Sequence, residues 1–277
     1  MTPDEYCQEK AVASGSSFYY SFLFLPPERR RAITALYAFC REVDDVVDET
    51  ADLQVAATKL AWWRTELANL FAGRPQHPVT RALAPHLTTF SLSERHLGEI
   101  IDGMEMDLRQ TRYLDWKALE RYCYLVAGVV GLLAAGIFGY SDRRTLEYAR
   151  KLGIAFQLTN IIRDVGEDAR KNRIYLPMED LERFGVPAAE ILRGEESERF
   201  RALMAFEAER AHRCYKDAMQ ELPAVDRRAQ RPGLIMAQIY RALLAEIERE
   251  RFHVLSQRTS LTPVRKFWIA WKTWVSA

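Results

Sequence analysis

The sequence predicts an all-α fold, and three observations carry that reading. Glycine and proline are sparse, 13 and 11 in 277 residues. Alternating polar–apolar runs of the kind a half-buried strand needs are almost absent. The helix breakers fall between long segments whose apolar residues recur with helical period. No low-complexity tract or linker divides the chain, so residues 1–277 read as one domain with an amphipathic tail over 262–277. A hydrophobic content of 48% is enough to bury a substantial core in a chain of this length.

Taken in order, Pro26 and Pro27 start a helix that runs to about Glu49, since proline is tolerated only in the first turn. Gly73 to Pro78 is a loop, and Ser93 caps a helix directed towards Tyr113. Further helices are predicted over 115–138, 142–169, 188–221, 232–257 and 263–275. Arg170 to Pro177, with Asn172 and Arg173, reads as an ordered loop. The helix over 122–139 carries Ala127, Gly128, Gly131, Ala134, Ala135 and Gly136, which suit either close helix packing or a cavity for a long ligand.

Composition removes several function classes. The 39 basic and 38 acidic residues nearly cancel, whereas a nucleic-acid binder would show a basic excess. Cys7, Cys40, Cys123 and Cys214 have no paired spacing and lie in apolar helical stretches, as buried thiols of a reducing compartment do. No signal peptide opens the chain, and the apolar stretch Leu125 to Tyr140 is short for a membrane span. The expectation is a cytoplasmic protein with, at most, peripheral contact at the inner membrane surface. His77, His86 and His96 read as surface or loop residues without a role.

The most informative feature is a repeated aspartate spacing, Asp44/Asp48 and Asp164/Asp168. An i, i+4 pair shares one helix face. At about 100° per residue, Tyr37, Arg41, Asp44 and Asp48 fall on one stripe roughly 60° wide, and Gln157, Asn160, Asp164 and Asp168 fall on one roughly 80° wide. Ionised aspartate is rarely buried unless it is paired or binds metal. Two such stripes in otherwise apolar helices, each with an attendant arginine (Arg41, Arg163), therefore suit a hard divalent cation. Magnesium, with manganese as the alternative, commonly bridges one or two carboxylates to substrate phosphates. Asp45 lies about 100° off the stripe and is expected to contribute less; it could simply be solvated. Neither cluster offers thiolate or imidazole, which argues against zinc.

A metal-held diphosphate leaving an allylic carbon generates a carbocation, which the faces of Phe18, Phe22, Tyr37, Tyr122 or Tyr124 could stabilise. The same aromatics are equally explained as core. A rival from another class is a ferritin-like di-iron bundle, prompted by Glu209-x-x-His212 and Glu250-x-x-His253. Glu209, however, lies about 150° from the apolar stripe of Phe200, Met204, Ala211 and Tyr215. In the tail, Phe267, Trp268, Trp271, Trp274 and Val275 fall largely on one side with Arg265, Lys266 and Lys272 nearby. That pattern fits a bilayer interface or docking on the protein's own surface.

Four blocks together resemble the squalene/phytoene synthase family: Ser14–Phe22 (SGSSFYYSF), Ala35–Asp45 (ALYAFCREVDD), Tyr122–Gly131 (YCYLVAGVVG) and Gly153–Asp168 (GIAFQLTNIIRDVGED). The resemblance implies an isoprenoid synthase helical bundle around a central cavity, with both aspartate motifs at its mouth. It makes Asp44, Asp48, Asp164 and Asp168, with Asn160, the magnesium-diphosphate ligands. It places Ser17, Phe18, Phe22, Tyr37, Arg41, Gln157, Arg163 and Arg173 beside substrate, Tyr124 (or Tyr122) near the cation, and Tyr240 and Arg258 as late diphosphate contacts. Within the family, the wording of the first block and the compact length are similar to bacterial presqualene diphosphate synthases of hopanoid pathways. The implied reaction is head-to-head condensation of two farnesyl diphosphates to presqualene diphosphate without NADPH. The alternatives are an NADPH-dependent squalene synthase and a phytoene synthase.

Overall fold

The computed structural model describes residues 1–13, 17–50 and 52–276, with the side chains of Ser17 and Tyr19 outside that set. The chain runs through α1 (Pro3–Ala13), α2 (Ser17–Phe22), α3 (Pro27–Glu49), α4 (Leu53–Phe71), α5 (Pro78–Leu83) and α6 (Glu94–Arg109). It continues through α7 (Trp116–Cys123), a π-helical turn over Tyr124–Gly128, α8 (Val129–Phe138) and α9 (Arg144–Arg170). The remaining helices are α10 (Met178–Arg183), α11 (Ala188–Leu192), α12 (Glu198–Glu221), α13 (Arg231–Arg249) and α14 (Pro263–Ser276). The described residues form an all-α bundle whose one extended pairing is an isolated bridge between Arg112 and Ile174.

Local chemistry accounts for the helix starts. Pro27 opens α3 after Pro26, and the Ser93 hydroxyl accepts the His96 N–H at the head of α6. Asp52 caps α4 in the same way, through the N–H groups of Gln54 and Val55. The helix expected to run towards Tyr113 stops at Arg109, because the following segment leaves to pair with the loop after α9. There the Ile174 N–H donates to Thr111 O at 3.1 Å, and the Met178 N–H donates to Tyr113 O at 2.8 Å. The single helix expected over 188–221 is divided at Gly194, whose φ of 72° suits glycine. The helix expected to reach 257 stops at Arg249, and Arg251 and Phe252 follow with φ of 55° and 58°.

Two apolar clusters build the interior. One is centred on α9, α12 and α13, the other on α3, α4, α6 and α8, and Phe18, Tyr124 and Val126 pack against both. The site cavity lies at this seam. The helix α9 crosses α8 and the π-helical turn before it at backbone distance: a Cβ on Gly131 would lie 2.2 Å from Ala149 O, and one on Gly153 would lie 2.3 Å from Ala127 O.

By length and composition Trp116–Phe138 could cross a membrane, yet half of its most apolar window is buried inside the molecule. Much of the rest, including Val126, Ala127, Val130, Gly131 and Ala134, faces the cavity. Cavity lining thus accounts for its apolar character. Of the histidines expected at the surface or in loops, His77 lies in the loop before α5, with the Trp63 ring at 4.9 Å between centroids, whereas His86 is packed and only 7% exposed.

Candidate active site

The first wall is α3. Asp44, Arg41 and Tyr37 rise along one face and line the cavity, with Cys40, Leu36 and Ile33 further along the same helix. Arg41 donates to Asp44 at 2.7 Å and to Asp45 at 2.5 Å, and Lys10 of α1 meets Asp45 at 2.8 Å. Asp45 is therefore a held partner rather than a solvated side chain. Burial pushes the Asp44 carboxyl up to about 7, against the pull of Arg41, with Asp48 adding to the rise. Asp48, one turn on, is reached by Lys171 at 3.1 Å and Arg173 at 3.5 Å, both from the loop that follows α9. That loop joins the two acidic motifs.

The second wall is α9. Gln157 and Asn160 line the cavity, and the Asn160 amide donates to Gln157 Oε1 at 3.3 Å. Asp164 accepts from Arg163 Nε at 2.7 Å and from Arg258 Nε at 2.8 Å, and Arg258 also meets Glu167 at 3.2 Å. Burial acts to raise the Asp164 carboxyl, but the two guanidinium groups hold it below the ordinary carboxylate range. Asp168 has the opposite balance: burial first, then the charges of Asp164 and Asp107, push it up to about 8. Arg258, whose register in the sequence is loose, thus sits beside the second motif.

A third carboxylate belongs to this site and has no motif to announce it. Asp107, near the end of α6, is 5% exposed, accepts the Tyr175 hydroxyl at 2.5 Å and pairs with Arg173 at 3.3 Å. Its charge is felt by both Asp44 and Asp168. Four residues either side of it stand Gly103 and Thr111. Without an aspartate partner on its own helix face, it gives no repeated-spacing signal.

Below the charged mouth lies an apolar cavity of about 220 Å³. Phe18, Phe22, Tyr37, Tyr122 and Phe156 contribute its aromatic wall. The Phe18 ring lies 5.7 Å from Tyr37 and 6.5 Å from both Phe156 and Tyr240. Tyr240 is buried behind this wall, with Phe156 at 4.8 Å. Tyr124, the first choice for a residue near a cation, is not among the lining residues. It opens the π-helical turn, and its hydroxyl reaches Glu99 at 3.4 Å; Tyr122, two residues earlier, faces the cavity. The expected site residue Ser17 has its side chain outside the described set, as does much of the SGSS stretch.

The donor set suits a hard cation shared with a ligand. Asn160 Oδ1 is a buried oxygen without a hydrogen-bond partner, and it lies one turn from Asp164 on the face that looks into the mouth. Among the described residues no three carboxylate, imidazole or thiolate groups converge on one point. Asp44 and Asn160 line the cavity, and the charges of Asp48 and Asp107 act on both Asp44 and Asp168, which fits magnesium held by one or two carboxylates and completed by phosphate oxygens. The di-iron alternative fails on geometry: His212 meets Glu248 at 3.0 Å, whereas His253 pairs separately with Glu196.

Comparison with known proteins gives the family. The Squalene/phytoene synthase family profile matches residues 11–265. The chain is 36% identical to a 15-cis-phytoene synthase of Synechocystis sp., over 99% of this chain and 85% of that one. It is likewise 36% identical to a phytoene synthase of Arthrospira platensis, over 95% and 89% of the two chains. Among solved structures, a dehydrosqualene synthase superposes with a TM-score of 0.90 at 29% identity, covering 99% of this chain and 96% of that one. The squalene synthase HpnC of Alicyclobacillus acidocaldarius gives 0.82 at 30% identity, covering 90% and 94%. The expectation of a presqualene diphosphate synthase is overturned, because the similar curated relatives are phytoene synthases, the alternative reading. The sequence match over nearly the whole chain, the shared helical architecture and the paired acidic walls lead to one assignment: the chain belongs to the squalene/phytoene synthase family, and it is an enzyme of the prenyltransferase type.

Proposed function

We propose that the protein is a phytoene synthase, joining two molecules of geranylgeranyl diphosphate head to head and releasing two diphosphates and two protons. The observation that supports this most is the facing of two acidic walls across the mouth of one long apolar cavity. On α3 the lining extends from Asp44 to Ile33, roughly 16 Å along the axis, and on α9 from Asn160 to Tyr148, roughly 18 Å. An extended isoprenoid chain lies in such a space with its diphosphate among charges and its tail in hydrocarbon. The phytoene synthases similar to this chain support the twenty-carbon substrate.

Asp44, Asp48, Asn160, Asp164 and Asp168 would hold magnesium, with manganese as a substitute, and the bound metal supplies charge neutralisation that makes diphosphate a good leaving group. Arg41, Arg163, Arg173, Arg258 and Lys171 are paired with these carboxylates and would donate to the diphosphate oxygens. Phe18, Phe22, Tyr37, Tyr122 and Phe156 present rings to the cavity, each worth about 0.5–2 kcal/mol to a cation over its face. Their apolar neighbours exclude the water that would otherwise quench that cation. The sequence ends by loss of a proton, so it uses no hydride and no NADPH.

Incubation of the purified protein with geranylgeranyl diphosphate or farnesyl diphosphate, each with magnesium and with or without NADPH, tests the reading by mass analysis of the products. Phytoene from the twenty-carbon substrate, unchanged by NADPH, is the expected result. Turnover confined to farnesyl diphosphate would refute it.

A further inference from the structure

The helix α14 has two faces with different fates. On one, Ala270 is fully buried, Trp274 stacks on Phe24 at 5.2 Å, and the Arg231 guanidinium lies 5.1 Å over the Trp274 ring. Lys266 reaches the Tyr20 ring at 5.8 Å. This face fastens α14 to α2 and α13. On the other, Val264, Phe267, Trp268, Trp271 and Val275 are all exposed, by 44% for Trp271 up to 79% for Val264. At 100° per residue these five share an arc of roughly 100°. Trp268 and Trp271 pack against each other at 5.2 Å, so the arc is a continuous apolar surface rather than scattered side chains.

Charge identifies what covers it. From Arg251 to Ala277 the chain has five basic residues and no carboxylate, although the whole protein is nearly neutral. Arg258 and Arg265 are engaged with Asp164 and Glu246, at 2.8 Å and 2.9 Å, and Lys272 is exposed beside the apolar arc. Two copies meeting through this face would bring two Lys272 side chains to the seam with no acidic side chain on α14 to pair either. Tryptophans flanked by basic side chains instead match the interfacial zone of a bilayer carrying anionic headgroups.

We infer that α14 is a membrane-docking helix, seating the protein on an anionic lipid surface through Val264, Phe267, Trp268, Trp271 and Val275 with Lys272 at the headgroups. The position of α14 gives the docking a geometric consequence. The short helix α2 turns Phe18, Ser21 and Phe22 to the cavity, while neighbouring Tyr20 and Phe24 meet α14. The docked face therefore stands one helical layer from the apolar cavity. Docking rests on the exposed face and its charge alone, and it holds whatever isoprenoid the cavity takes.

Co-sedimentation of the full chain with phosphatidylcholine vesicles, with and without phosphatidylglycerol, tests the inference alongside light scattering in the absence of lipid. The wild type should partition to the anionic vesicles and be released by high salt. Trp268→Glu combined with Trp271→Glu should lower partitioning by at least roughly tenfold with the helical spectrum retained, since both side chains are exposed. Lys272→Glu, which leaves the apolar arc intact, should weaken binding to anionic vesicles alone. Equal sedimentation of wild type and double variant would overturn the inference, as would a wild type that stays in the supernatant. A lipid-free dimer dissolved by the double variant, without vesicle binding, would assign the face to a second copy instead.

Discussion

Asp44 and Asp168 show how neighbouring carboxylates in one site acquire different proton affinities. Both are raised, to about 7 and about 8, chiefly by burial, while Asp164 is held low by Arg163 and Arg258. A carboxyl raised in the folded state contributes stability that is fully present below its ordinary value of about 4 and is lost as pH rises through the raised value. The metal-free protein should thus lose thermal stability as pH rises from about 4 to about 8 and level off above that, and Asp44→Asn should lose less. Asp164, being depressed, changes only in the acid range and leaves this window untouched. Magnesium must displace the held protons, so its affinity should rise with pH across the same window. Calorimetric titration in two buffers of different ionisation heat reads the protons released; no release and a flat pH dependence would contradict the assignment. At this scale the sequence exposes Asp44, Asp48, Asp164 and Asp168 through their spacing, but not Asp107. That aspartate becomes a site residue only when α6 and the loop carrying Arg173 and Tyr175 are brought together.

Among the elements, α8 and α9 set the depth of the cavity by how closely they cross. Alanine at Gly153 would bring its Cβ within 2.3 Å of the Ala127 carbonyl oxygen, a backbone atom that moves only if a helix does. Gly153→Ala should therefore cost roughly 1–3 kcal/mol or more in denaturant unfolding and narrow the cavity along with it. An unchanged midpoint would show that the crossing is looser than described. The small residues of this region admit packing and cavity lining as readings of the sequence, and both hold: Gly131 and Ala127 take part in the crossing and also line the lumen, with Ala134. Helix starts are legible because caps are local chemistry, as at Pro27 and Ser93. Ends are less so, because Arg109 and Arg249 are followed by segments whose course depends on tertiary partners. Tyr122 and Tyr124, two residues apart on a helix, point to different faces, and which of them meets the cavity depends on how the helix packs.

At the scale of the whole molecule, the all-α class follows from periodicity and sparse breakers, and the functional family follows from four blocks of residues. The choice between substrates does not, because it depends on how far a cavity assembled from α2, α3, α6, α8, α9 and α13 extends. The tail behaves similarly: docking on the protein's own surface describes the face of Trp274, which packs inward, whereas Trp268 and Trp271 face out and carry the membrane proposal. The central claim is that both acidic walls act together on diphosphate. It is tested most directly by magnesium-dependent release of inorganic diphosphate from geranylgeranyl diphosphate, comparing wild type with Asp44→Asn and Asp164→Asn. Each substitution, made on a different helix, should lower the rate by at least about a hundredfold while leaving the helical spectrum intact. A rate near that of the wild type in either variant would contradict the account.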